Sequence, residues 1–453
     1  MRYFSAFLLL AAFWFGSPTM QAQLAMAEPL PPLSEEDKRN MLRQLVDESS
    51  VFRKNFTGFA LFDPIAMRML YEKDADKYYT PASNTKILTL YTALHVLGDS
   101  LPALRYIIQG DSLIFWGTAN PMMLHPAFPM DTVALAFLRS RPEQLFFSPH
   151  NFQDDRFAPG WSWDDYQYAY QPERFSMPLY GNTVVFERSR VSSGFESYPS
   201  LFATAIAYNP RLNSRYARVV RRAEDNRFEY NSRALAGYSF RKEIPFRCTP
   251  ELVARLLADT LGRPVGVLDL MRLEPARAYT LQTPLPDTLY RRLMQNSDNF
   301  VAEHLLLACS EKLFGAQRAE DIIAYATENL LADMPGELHW VDGSGLSRQN
   351  MFTPKTMIAL LFKLYQEVPQ DRLLSIFPAG GRSGTIRNFY GGREPYVFAK
   401  TGTLRGVHTL SGYIITAQKK ILLFSFMHNN FPGDSYPLKT EMEKVLKWVA
   451  ENH

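Results

Sequence analysis

A serine three residues ahead of a lysine can supply both a nucleophile and its base, and Ser83-Asn84-Thr85-Lys86 is such a pair. On a helix, side chains at i and i+3 share a face, so the Lys86 amine can take the Ser83 hydroxyl proton. A free lysine is protonated at neutral pH; burial beside apolar residues, with a second cation nearby, favours the neutral amine. Two further triplets follow. Ser297-Asp298-Asn299 offers a hydroxyl to relay a proton to a leaving nitrogen and an amide to hydrogen-bond a peptide backbone, with Asp298 bracing the turn. Lys400-Thr401-Gly402 offers a cation and a hydroxyl for a free carboxylate, beside a residue whose missing side chain leaves room for substrate. Each is weak alone. In this order they hold every group needed for acyl transfer through a serine acyl-enzyme.

Local pattern indicates the elements that position them. Thr80 can cap a helix, Pro81 suits its first position, and Ile87, Leu90, Tyr91 and Leu94 recur on one face, so Ser83 falls in the first turn. Leu289, Leu293 and Met294 form one helical face before the second triplet, and Val301, Leu305 and Leu306 another after it, which makes Ser297-Asp298-Asn299 a loop between helices or an ordinary helix cap. The run Tyr396 to Thr401 is strand-like, as are Val407 to Thr416 and Ile421 to Met427. An antiparallel arrangement puts Lys400 beside the nucleophile's helix, on a strand to which an extended peptide could be added. Met442, Val445, Leu446 and Val449 give the last helix a face to pack on that sheet.

The three motifs and their surroundings resemble the D-alanyl-D-alanine carboxypeptidases and endopeptidases of the penicillin-binding protein 4 type, the low-molecular-mass class C group. Val341-Asp342-Gly343-Ser344-Gly345-Leu346-Ser347-Arg348 with Thr353-Pro354, Ala158-Pro159-Gly160-Trp161, and Lys400-Thr401-Gly402-Thr403-Leu404 extend the resemblance from about Phe56 to the C-terminal helix. It implies an α/β (α+β) fold, a β-lactamase/transpeptidase-like antiparallel sheet flanked by helices, interrupted by an inserted β-rich accessory region. It also implies catalysis by Ser83, Lys86 and Ser297, substrate binding by Asn299, Lys400, Thr401, Gly402 and Thr403, and an oxyanion hole from the Ser83 and Thr403 backbone N–H groups. The expected activity is that of a serine D-Ala-D-Ala carboxypeptidase, D,D-endopeptidase or both, with peptidoglycan stem peptides and β-lactam antibiotics as partners. A serine β-lactamase and a non-catalytic peptidoglycan or penicillin sensor are the alternatives; the former needs a deacylating base, and no glutamate stands out for it.

The 210 residues between Lys86 and Ser297 (297 minus 86, minus one) far exceed a helix-to-helix connection. Residues 101–281 are therefore expected to be the insertion, of one or two subdomains, within a discontinuous catalytic domain of 28–100 and 282–453. Runs such as Ser112 to Trp116 and Asn182 to Phe186, between Pro, Gly and Asn punctuation, fit short strands. With all three motifs outside it, the insertion is expected to govern substrate access and not the chemistry. Two features depart from the family. Gly117-Thr118-Ala119-Asn120-Pro121 replaces a more glycine-rich turn, and Ser148 stands where some relatives carry an acidic residue that reads a diaminopimelate amine; the displaced Asp154 and Asp155 are not given that role.

Composition narrows the class. With 46% hydrophobic and 21% charged residues the chain is ordinarily globular, and a net charge of +3 is too small to indicate nucleic-acid binding. Met1 to Ala27 has Arg2, a short apolar stretch from Ala6 to Gly16, and a small-residue cleavage site at Ala25-Met26-Ala27, which indicates a cleavable signal peptide and a periplasmic enzyme. No later stretch suits a transmembrane anchor, and no cysteine follows the signal to suggest lipidation. Glu28 to Pro32 is an extended lead-in to a first helix, with Ser34 and Asp37 as a capping box. The two cysteines, Cys248 and Cys309, make no framework, Cys309 falls in a core helix, and the scattered histidines suggest neither metal nor cofactor. Glu303 and His304 are expected to be plain helix residues. Trp161, Trp163, Tyr166, Tyr168 and Tyr170 are expected to pack between subdomains rather than stack on glycan.

Overall fold

The computed structural model describes residues 33–129, 131–189, 194–236, 239–268 and 278–453; the signal segment 1–27 and the lead-in at 28–32 lie outside them. Helix α1 (Glu35–Asp47) starts at Ser34, whose Oγ accepts the Asp37 N–H and donates to the Asp37 carboxylate. Strands β1 (Phe56–Asp63) and β2 (Arg68–Lys73) form a hairpin, and a 3₁₀ turn at Ala82–Thr85 leads into α2 (Lys86–Leu97). The chain then runs through β3 (Ser100–Gln109), β4 (Ser112–Trp116), α3 (Val133–Ser140), β5 (Gln144–Phe147), β6 (Thr183–Arg188), β7 (Glu196–Tyr198) and β8 (Ile206–Tyr208). Next come β9 (Val219–Arg221), β10 (Phe228–Tyr230), β11 (Phe240–Pro245), α4 (Pro250–Leu261), β12 (Val265–Val267) and β13 (Tyr279–Pro284). Helices α5 (Asp287–Gln295), α6 (Asn299–Phe314), α7 (Ala319–Tyr325), α8 (Pro354–Glu367) and α9 (Gln370–Ile376) precede β14 (Val397–Leu404), β15 (Val407–Ile415), β16 (Ile421–Asn429) and α10 (Tyr436–Asn452).

The site is built on an antiparallel sheet of order β14-β15-β16-β1-β2. Alternation along each strand sends side chains to opposite faces. Phe59, Leu61, Phe424 and Phe426 pack with Leu42 of α1 and Met442, Val445, Leu446 and Val449 of α10. Ala60, Leu423 and Met427 face Ile87 and Leu90 of α2, Leu305 of α6 and Leu361 of α8. Burial on both faces makes β15 a nearly unbroken buried run. Helix α6 lies deepest: every residue from Phe300 to Glu311 is buried, which is why it is apolar all round apart from specific polar residues.

The second sheet, β12-β5-β4-β3-β13, is mixed, and two three-stranded sheets, β8-β10-β9 and β11-β6-β7, accompany it around a separate apolar core. The chain enters this region along β3 and returns along β13, its antiparallel neighbour. The region is not built from strands alone: α3 and α4 belong to its core, α4 being capped by Thr249, opened by Pro250 and ended at Gly262. Asn120 braces its turn, its Oδ1 accepting the Met122 N–H and its amide donating to Asp131.

Candidate active site

Ser83 lies in the 3₁₀ turn, and Lys86 is the first residue of α2. Thr80 is not the cap; its N–H donates to Asn429 Oδ1, and Pro81 precedes the turn. The tighter coil keeps i and i+3 side chains aligned, and Lys86 Nζ donates to Ser83 Oγ over 3.0 Å. Asn84 fastens the turn to β15 by donating to Ser411 Oγ, as Thr409 does by donating to the Pro81 carbonyl.

Lys86 is fully buried and also donates to Asn299 Oδ1 and the Ser344 carbonyl, each over 2.6 Å. Burial lowers its pKa to about 8, against the opposing pull of Asp342, Glu303 and Asp298. The lysine is held by neutral acceptors and has no directly paired carboxylate among the described residues, the condition under which its free amine is accessible near neutral pH.

Ser297 sits between α5 and α6 in a left-handed conformation, φ 56°, uncommon for a residue with a side chain. Asp298 both braces and caps: one oxygen accepts the Val301 N–H and the other the Arg292 Nε–H. Ser297 Oγ is thereby left to meet Lys400 Nζ at 2.8 Å. Lys400 on β14 is fully buried, donates also to the Thr401 carbonyl, and is pushed well below the usual lysine range by burial and by Lys86. These are the two cations that the sequence placed close together.

Two further residues of the motifs make close contacts within the fold. Space for a Cβ at Gly402 is taken by Thr409 Oγ1, the Pro81 carbonyl at 2.5 Å and the Ser83 nitrogen at 3.0 Å. Glycine there lets β14 lie against the turn that carries Ser83. Asn299, expected to hydrogen-bond substrate, is held at both ends, its Oδ1 by Lys86 and its amide by the Tyr170 carbonyl.

Ser83, Ser297, Asn299 and Thr403 open onto a cavity of about 820 Å³. Thr401 instead donates to Thr385 Oγ1. The sequence reading missed Arg348 and Arg405, which also line the cavity and offer exposed cations where Lys400 is buried; only Arg348's place in the quoted 341–348 segment hinted at this. Asp164 and Asp165 line another part of the wall. Ser148 is buried elsewhere, bonded to Phe115 and His150.

The segment 341–348 is folded around Asp342, which accepts the Gly345 and Ser347 N–H groups, the Asn350 amide and the Trp161 indole N–H. This arrangement aims the Ser344 carbonyl at Lys86. Trp161 and Tyr170 thus reach the site from the region expected to govern substrate access and not the chemistry, while Trp163 is 82% exposed and does not pack between subdomains. Glu303 is a helix residue, as expected, but its carboxylate also accepts the Ser344 N–H at 2.7 Å.

The chain is similar to known proteins in sequence and in fold. Residues 275–452 match the profile of the D-Ala-D-Ala carboxypeptidase 3 (S13) family. The matched segment is less than half of the chain. It carries Ser297, Asn299 and Lys400, while Ser83 and Lys86 precede it. The chain is 33% identical to the D-alanyl-D-alanine carboxypeptidase DacB of Haemophilus influenzae over 162 residues, 34% of this chain and 34% of that protein. It is 24% identical to the D-alanyl-D-alanine carboxypeptidase of Actinomadura sp. (strain R39) over 484 aligned positions, 92% of this chain and 86% of that protein. The solved structure of penicillin binding protein 4 (dacB) from Haemophilus influenzae superposes with a TM-score of 0.69 at 21% identity, covering 91% of this chain and 99% of that one; the same protein has been solved with a novel β-lactam. The matched segment lies in a chain with the fold of penicillin binding protein 4. Among the described residues no helix is long and apolar enough to cross a membrane.

Proposed function

We propose that the protein is a serine D-Ala-D-Ala carboxypeptidase, D,D-endopeptidase or both, acting on peptidoglycan stem peptides through an acyl-enzyme on Ser83. The observation that carries this is the 3.0 Å bond between Ser83 Oγ and a buried Lys86, at the mouth of a cavity that also holds Ser297. Ser83 Oγ attacks the carbonyl carbon of the penultimate D-alanine while Lys86 Nζ takes its proton. The Ser83 and Thr403 N–H groups stabilise the resulting oxyanion. Collapse breaks the C–N bond, and Ser297 Oγ passes its proton to the leaving amine and is reprotonated from the lysine side. Water then hydrolyses the ester, releasing the shortened peptide and restoring Ser83.

Substrate can lie along β14, an edge strand covered near Val397–Ala399 by backbone bonds with Pro378 and Gly380, while Thr403 and Leu404 face the cavity. Arg348 and Arg405 supply exposed charge for a terminal carboxylate. A β-lactam undergoes the same acylation, but its leaving group stays tethered and obstructs water. The β-lactamase reading lacks support because Glu303 is buried behind Ser344 and away from the cavity. The intact Ser83–Lys86 contact speaks against a passive sensor. The signal segment 1–27 supports a periplasmic site of action. The adjacent entry and return strands support a catalytic unit of about 28–100 and 282–453 with 101–281 inserted, the return boundary falling within β13.

Digestion of purified muropeptides, followed by mass spectrometry, tests the activity. Loss of one D-alanine indicates a carboxypeptidase and conversion of dimers to monomers an endopeptidase. Unchanged muropeptides contradict the proposal.

A further inference from the structure

Behind the catalytic lysine lies a buried carboxylate for which the acyl-transfer steps have no use. Glu303 is on α6, 2% exposed, and accepts the Ser344 N–H at 2.7 Å; the carbonyl of that same residue accepts Lys86 Nζ at 2.6 Å. The second Glu303 oxygen has no hydrogen bond and lies 3.7 Å from Arg174, itself 1% exposed and bonded to Asp154 and the Asp155 carbonyl. Arg174 and Asp154 come from the inserted region. A buried carboxylate is retained at a cost unless something holds it, and here its bonded oxygen faces the segment that orients the base.

We infer that Glu303 is a positioning residue for Lys86, acting through Ser344, and that Arg174 ties the inserted region to this support. The carboxylate fixes Ser344, and hence the carbonyl that directs the Lys86 amine towards Ser83. It also sets the field at the amine. Lys86 is faced by Glu303 from α6, Asp298 from the loop before it, Asp342 from the 341–348 segment and Lys400 from β14. Glu303 is faced by Asp342 and Arg174 and has His304 as its chain neighbour, the latter's ring held by the Phe300 carbonyl. Burial raises the Glu303 pKa to about 7, so its charge is present above that pH; removing it disfavours the ammonium form of Lys86 there, and the amine persists to lower pH.

This inference rests on the acyl-enzyme reading, and the experiment separates the two. The full-length mature chain is acylated with a fluorescent penicillin from pH 5 to 10, as wild type, Glu303→Gln and Glu303→Ala, with a thermal melt of each. Glutamine keeps an acceptor for the Ser344 N–H but no charge; its acid limb is expected to move down by roughly one pH unit while the plateau rate stays near that of wild type. Alanine loses the acceptor, and its plateau rate is expected to fall by at least about 10-fold. Should either fold poorly, the Glu303→Gln/Arg174→Met pair, which removes both buried charges, carries the same pH measurement. A wild type that is not acylated overturns both readings. An acylated wild type whose variants share its pH profile and plateau overturns this inference alone.

Discussion

Lys86 and Asn299, 213 positions apart, are joined by a 2.6 Å hydrogen bond from amine to amide oxygen. Each is the first residue of its helix, so the N-termini of α2 and α6 converge on the site. Helix N-termini carry partial positive charge. That field acts with burial against an ammonium at Lys86, while the amide oxygen keeps the amine in place.

Replacing Lys86 by alanine is expected to slow penicillin acylation by at least about 100-fold, the lower end of general-base contributions. Stopped-flow measurement of acylation checks this; a near-normal rate means that another group takes the Ser83 proton.

The pH dependence follows from the same residue. With the Lys86 pKa lowered to about 8 by burial, its amine becomes free as pH rises through that value, so acylation is expected to climb there and then level off. The stability sign agrees: a lysine pKa lower folded than unfolded costs stability below about 8, and the cost is relieved as pH rises towards the usual lysine value. Rates and melting temperatures between pH 6 and 10 test both limbs, and an acylation rate that falls across this interval contradicts the assignment.

Asp342 accepts hydrogen bonds from two backbone N–H groups and three side chains while fully buried. Asp342→Ala leaves these donors without a partner and is expected to cost on the order of 3 kcal/mol. Denaturant unfolding measures the loss, and the acylation rate should fall with it because the Ser344 carbonyl is no longer aimed at Lys86.

Gly345 has φ 79°, and a Cβ there would collide with the Ala82 carbonyl, next to Ser83. Gly345→Ala is expected to displace the 3₁₀ turn and reduce acylation by at least about 10-fold, the equivalent of about 1.4 kcal/mol in the barrier. A crystal structure with an unmoved Ser83, together with a wild-type rate, contradicts this.

The catalytic elements were legible where short-range chemistry and hydrophobic period agree. The faces of α2, α5, α6 and α10, and strands β14 to β16, followed from apolar spacing; the Ser83–Lys86 contact followed from a three-residue separation that survives the change from α to 3₁₀ coil. What escaped depends on long-range approach. No local pattern places the Tyr170 carbonyl on Asn299 or the Ser344 peptide between Glu303 and Lys86. The neighbours of Gly402 across the fold, Pro81 and Thr409, are invisible from the motif alone. Strands β7 to β10, of three residues each, are too short for an alternation to declare itself. Helix α4 was legible in retrospect, since Thr249, Pro250 and Gly262 are start and stop signals passed over in a region expected to be β-rich.

The central claim is that Ser83 is the group acylated. Mature wild-type protein and Ser83→Ala are incubated with penicillin, weighed intact by mass spectrometry, and digested to map the adduct. One penicilloyl group on the wild type, located at Ser83 and absent from a folded Ser83→Ala, is the predicted result. An adduct on Ser297 or elsewhere, or an equal adduct on the alanine variant, contradicts the account.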